Sequence, residues 1–193
     1  SQQPRMAHPY SQNDVRFGVV GLGASATLTG KRKAQAMGFF NKPATDYEGL
    51  ALLSNERIKA SLEGRGWSYR VDDDGEISGA WDEGFFYFLQ RGDQGEILHV
   101  RGTWFGKLTT AEQAQADAIC AEWNRTTLWP KAFTVAFDDG AVRVIGEHTV
   151  DYEFGLTDKQ LSQHLLCAVN TGHALFEKMA EAFPEQAKAY REE

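Results

Sequence analysis

Apolar positions recur with two different periods along the chain, and the switches between them outline the fold. Ser54-Asn55 precede Glu56, Ile58 and Leu62, the pattern of a capped helix that Gly64 and Gly66 stop. The period then shortens to two. Trp67, Tyr69 and Val71 lead to the turn Asp72-Asp73-Asp74-Gly75, Ile77 to Trp81 to the turn Asp82-Glu83-Gly84, and Phe85 to Leu89 follow. Beyond Gly92-Asp93-Gln94-Gly95, the run Ile97 to Phe105 puts Leu98, Val100 and Trp104 on one face and His99, Arg101 and Thr103 on the other. These runs read as an antiparallel meander with one apolar side.

The helical period returns at Thr109-Thr110 and Glu112 and runs to about Arg125, with Ala111, Ala114, Ala118, Ile119 and Trp123 as its stripe. Asp138-Asp139-Gly140 then joins Phe133, Val135 and Phe137 to Val142, Val144 and Val150, the strongest hairpin signal in the chain. A last helix starts at Thr157 with Asp158 in its first turn, carries Leu161, Leu165, Val169, Phe176, Met179 and Phe183, and meets Pro184. The order is helix, a run of strands, helix, two strands, helix. Without strand-helix-strand alternation there is no parallel sheet to build. The expected fold is α+β, two-layered, an antiparallel sheet with helices on one face.

Charge divides the chain where periodicity does not. Residues 1–46 hold six Lys/Arg against two Asp/Glu, whereas residues 47–193 hold fourteen against twenty-five. A basic, Gln-, Ser-, Ala- and Gly-rich arm, residues 1–46, with no sustained period therefore precedes an acidic domain, residues 47–193, and the arm reads as extended or flexible. Within it Lys31-Arg32-Lys33 reads as a solvated loop before it reads as a docking site for an acidic surface. The net charge of −7 over 193 residues argues against a general nucleic-acid binder, and no apolar run is long enough to span a membrane. Two cysteines, Cys120 and Cys167, cannot make a disulfide scaffold or a cysteine zinc site by themselves.

The catalytic and cofactor motifs fail one after another. Gly21-Leu22-Gly23-Ala24-Ser25-Ala26 fits a dinucleotide fingerprint after an apolar run, but no apolar helical stripe and no acidic strand end follow it. A secretion-signal reading of the same stretch founders on its glycine-interrupted apolar run. The phosphate loop lacks its glycine at Ser25 and its hydroxyl at Arg32, and the calcium loop would need ligands at Arg70 and Trp81. The five histidines show no pairing that sets two ligands on one helical face. His164 and Cys167 lie three apart on the last helix, and His148 shares a face with Val144 and Val150. Their expected roles are an inert helix cysteine and a core histidine, with a small-molecule or hydrolytic site around His148 or Cys167 as the alternative. No cofactor and no metal are expected.

Five tryptophans are the least ordinary feature. Trp67 and Trp104 read as sheet core and Trp123 as a helix anchor. Trp129, in Thr127-Leu128-Trp129-Pro130-Lys131, falls where a helix gives way to a strand and is either a buried corner or an exposed recognition aromatic. The polar sheet face of Arg70, His99, Arg101, Arg143 and Glu147 is the candidate partner surface, and Arg70, Arg101 and Trp129 are the candidate partner-binding residues.

Taken together, Trp123-Asn124, Trp129-Pro130-Lys131, the Asp138-Asp139-Gly140 hairpin, Gly146-Glu147, and Gly155-Leu156-Thr157 before a helix ending at Phe183-Pro184 form a dispersed signature. By it the chain resembles the YbjN family, described as bacterial sensory-transduction regulators, over roughly residues 54–184. The resemblance implies the type III secretion chaperone fold, of order helix, three strands, helix, two strands, helix. One of the four early strands, Trp67 to Val71 or Ile77 to Trp81, is then an extra piece. It also implies a cytoplasmic regulatory or chaperone-like protein that binds a protein partner and pairs as a homodimer. It brings no catalytic residue with it.

Overall fold

The computed structural model of the chain describes residues 49–192, with side chains as far as residue 189. The basic arm 1–46, with Gly21, Gly23 and Lys31-Arg32-Lys33, lies outside the described residues. The elements follow in the order α1 (Asn55–Gly64), β1 (Arg70–Val71), β2 (Ile77–Trp81), β3 (Gly84–Arg91), β4 (Ile97–Trp104), α2 (Gln113–Thr126), β5 (Lys131–Ala136), β6 (Val142–Asp151), α3 (Asp158–Ala182) and α4 (Pro184–Glu192). Six strands form one sheet in the order β1-β2-β3-β4-β6-β5, and every neighbouring pair is antiparallel. The fold is thus α+β as expected, with an antiparallel sheet whose edge strand β1 is two residues long.

Local chemistry sets the helix ends. The Ser54 hydroxyl accepts from the Arg57 N–H at the start of α1. At α3 the Thr157 hydroxyl accepts from the Gln160 N–H while the Gln160 side chain accepts from the Thr157 N–H, so two otherwise orphaned donors are satisfied reciprocally. The helix so launched runs 25 residues and buries Leu161, Leu165, Val169, Phe176 and Met179.

Register decides which strand residues face the helices. Leu98, Val100, Gly102 and Trp104 of β4 alternate inward and join one apolar cluster with Phe86, Phe88, Ile77, Val144 and α3. Close approach of α3 requires glycine at its centre: a Cβ on Gly102 would lie 2.7 Å from Phe86 and 3.1 Å from Phe176. The residues between them face the other way. Arg70, Ser78, Tyr87, Arg101, Glu147 and Lys131 are successive cross-strand partners, one from each strand, in a row on the face away from the helices.

Two expectations shift in detail. The apolar residues Phe133 and Val135 of β5 pair with Ile145 and Arg143 on the outer face, and the small residues Ala132, Thr134 and Ala136 face the helices. The strand lies beside α2, and only small side chains leave room for that helix. On α2 itself the buried positions are Ala116 and Cys120, with Ile119 and Trp123 packed against the core, while Ala114 and Ala118 are exposed. Alanine recurs on every side of this helix, so its apolar stripe in the sequence is rotated from its packed stripe.

Candidate functional site

The segment between α2 and β5 is pinned at both ends and exposed in the middle. The Trp123 indole N–H donates to the Pro130 carbonyl at 3.1 Å, and Thr127 bonds the Trp123 carbonyl through its hydroxyl at 2.7 Å and its N–H at 2.9 Å. The Asn124 carboxamide both donates to the Ala132 carbonyl and accepts from the Ala132 N–H, each at 2.8 Å. Pro130, after a cis peptide bond, sits over Gly146, where an added Cβ would lie 2.9 Å from its ring. What remains projects: Leu128 is 85% exposed and Trp129 42% exposed. For a leucine and a tryptophan side by side, that costs solvation unless something covers them.

Behind Trp129 lies a row of rings. Its indole is 5.3 Å from the imidazole of His148, which is buried on β6 among core residues. His148 Nε2 meets His164 Nδ1 at 3.1 Å, and the Tyr152 ring stands edge-on to His164 at 5.9 Å. One imidazole donates and the other accepts, so a further proton leaves the bond intact only if it joins the donor ring at its second nitrogen. Burial, then the neighbouring His164, push His148 down to about 4, and burial also lowers His164. Burial raises Tyr152 to about 12. His148 Nδ1 and the Tyr152 hydroxyl are buried without a hydrogen-bond partner among the described residues.

On the outer face Glu147 is the hub. Its carboxylate lies 2.7 Å from Lys131 Nζ, 3.4 Å from His99 Nε2 and 3.8 Å from an Arg101 guanidinium nitrogen. Burial raises the Glu147 carboxyl, but Lys131, His99 and Arg101 together outweigh it and hold it below its ordinary value. Burial lowers His99, and the Glu147 carboxylate beside it opposes that shift in part. Between this hub and the projecting segment opens a cleft of about 530 Å³, lined by Leu128, Trp129, Lys131, Glu147 and Thr149.

Of the residues singled out in sequence, Arg101 and Trp129 converge on this corner, the first through Glu147 and the second as its wall. Arg70 shares the outer row with Arg101 but stands at the opposite edge of the sheet, on β1. His148 is the buried residue of the two alternatives weighed for it, yet it touches the wall of the cleft. Cys167 makes no hydrogen bond to an imidazole among the described residues, and burial raises its thiol. Among the described residues no three His, Cys, Asp or Glu side chains are placed to hold a metal ion, and no helix is long and apolar enough to cross a membrane. Sequence reasoning missed the His148–His164 pair, the Lys131–Glu147 pair and Leu128. The first joins a strand to a helix across the core, and no local spacing signals it.

A family model, YbjN, described as "Putative bacterial sensory transduction regulator", matches residues 54–181. Among solved structures, "Crystal structure of YbjN, a putative transcription regulator from E. coli" aligns with a TM-score of 0.58 at 14% identity, covering 70% of this chain and 96% of that one. At that identity the likeness is one of fold. No curated protein matches the chain.

Proposed function

The chain belongs to the YbjN family, and on that premise we propose that it is a non-enzymatic regulatory module that works by holding a protein partner. The observation that carries this reading is the exposed Leu128-Trp129 pair, rigidly presented beside the Lys131–Glu147–Arg101 charges. An aromatic anchor next to a polar rim is the composition of a protein-recognition patch. Arg101 and Trp129 are its core, and Arg70 extends it along the outer row. Reactive groups of the domain support the same reading by their poor fit to catalysis: burial drives the thiols up, Cys120 to about 11, and drives His148 down to about 4. The E. coli structure is described as "a putative transcription regulator". With a net charge of −7 here, regulation by contact with another protein fits better than direct DNA contact.

Affinity capture from source-cell lysate tests the reading, comparing the intact chain with a Trp129→Ala/Arg101→Ala variant. A protein retained by the first and lost by the second, with the thermal midpoint moved by only a few degrees, is the expected result. Retention by both removes this corner as the partner surface. One observation favours a second reading: the cleft beside the buried His148–His164 pair is large enough for a small ligand. A compound that raises the thermal midpoint of the intact chain and not that of His148→Gln would favour it.

A further inference from the structure

Resting on the protein-binding reading above, we propose that the backbone edge of β6 at Thr149 and Asp151 is a strand-addition site for an extended segment of a partner protein. That segment seats apolar side chains against Leu128 and Trp129 and sets a basic side chain beside Asp151.

The inference starts from strand lengths. β6 has ten residues and β5 six, and their pairing ends at Lys131↔Glu147. On its other side β6 stays paired with β4 to Asp151↔Ile97. The last four residues of β6, 148 to 151, therefore have a strand neighbour on one side alone. Hydrogen-bond phase then identifies the outward-facing groups. Tyr152 donates its N–H to the Glu96 carbonyl at 2.9 Å, and Val142 exchanges backbone bonds of 2.8 and 3.0 Å with Leu108 on that same side. Even-numbered residues of β6 thus point N–H and C=O toward β4, and odd-numbered ones point away from it. Glu147 meets Lys131, whereas Thr149 and Asp151 have no backbone partner among the described residues, and both are exposed.

The neighbouring edge shows the contrast. By the same phase Ala132 of β5 points both backbone groups outward, and there the Asn124 carboxamide satisfies both. One edge is closed by a side chain that mimics a peptide, and the other is open among the described residues.

The cleft selects the occupant. Thr149 lies in the cleft walled by Leu128, Trp129 and Pro130, so an extended segment laid along that cleft runs beside the outward backbone groups of the β6 edge. Residues of an added strand alternate. Those facing the helix side meet the exposed Leu128 and Trp129, and those facing the outer side meet Thr149, Lys131 and Glu147. Lys131 is already matched by Glu147, so the charge on this edge without an ion pair among the described residues is the exposed Asp151 carboxylate, which accepts the Glu153 N–H at 2.9 Å and still calls for Lys or Arg.

The test pans the full chain against a display library of short random peptides and maps the winners on variants. Thr149→Pro removes the outward N–H without touching a β4 bond, a substitution that strand edges tolerate. Leu128→Ser, and a copy of the winning peptide N-methylated at its ladder positions, probe the same contact without that proline. Expected are peptides alternating apolar residues with a Lys or Arg, whose affinity falls about tenfold in each of the three cases and is unchanged in Lys178→Ala, on the exposed side of α3. Equal binding by Thr149→Pro and by the N-methylated peptide would overturn the edge mode while leaving the lysate result for Trp129 and Arg101 standing. Absence of any enriched peptide overturns it too. So does a concentration-dependent dimer that Thr149→Pro abolishes and peptides fail to compete with, because the occupant is then a second copy of the chain.

Discussion

On the helix-covered face of the sheet Gly102 pairs with Gly146, and the missing side chains let Phe86, Phe176 and Pro130 close over the strands. One residue along, on the opposite face, Arg101 pairs with Glu147 and Lys131 completes an ion pair. The same strands thus carry two kinds of surface. The first derives its stability from volume exclusion, so any lost atom is felt. The second derives it from half-buried charges that solvent still reaches, where each contact is worth less and remains available to another molecule.

The largest effect belongs to the covered face. Phe176→Ala removes a fully buried ring that lies over Gly102, and urea unfolding should show a loss of about 3–5 kcal/mol. A loss under about 1 kcal/mol would mean that α3 does not close this face. Next comes a pH effect from the same side. His148 has a folded-state value of about 4, below the ordinary 6.5, so the unfolded chain takes up its proton first. Its contribution is complete above the unfolded value and is lost as pH falls from 6.5 toward about 4. Urea midpoints across that window should fall in the native chain and fall less in His148→Gln.

Third is the closed edge. Asn124→Ala strands both backbone groups of Ala132 and should cost about 1–3 kcal/mol. On the outer face the expectation is smaller again. Glu147→Gln keeps the shape and removes the charge shared by Lys131 and Arg101, for about 1 kcal/mol or less, and the difference should shrink in high salt. A salt-insensitive loss as large as that of Phe176→Ala would erase the distinction between the two faces.

What the sequence made legible is what depends on near neighbours. The Ser54 and Thr157 caps, the Asp138-Asp139-Gly140 turn and the alternation of β4 are decided within a few residues, and they stand as read. The side of the sheet that Phe133 and Val135 occupy was not legible, because it depends on α2 demanding small residues beneath it. Nor was the His148–His164 contact, which unites β6 with α3. The open edge did leave a trace: the apolar run after Asp138-Asp139-Gly140 is longer than the run before it, and an antiparallel hairpin with unequal arms must leave the longer arm partly unpaired at its far end.

The smallest effect on stability is the one that bears most on function. Trp129 is nearly half exposed, and its main neighbour is the edge of His148, so Trp129→Ala should lower the unfolding free energy by only about 1 kcal/mol. Its removal should nonetheless abolish partner retention, because an exposed indole on a segment pinned by the Trp123–Pro130 and Thr127–Trp123 hydrogen bonds offers a partner large contact area at little entropic cost. Stability and binding are therefore expected to dissociate at this residue and to move together at Phe176. If Trp129→Ala instead destabilised the chain as Phe176→Ala does, the indole would be a core residue at the sheet's corner, and the surface offered to a partner would reduce to Leu128 and the charges around Glu147.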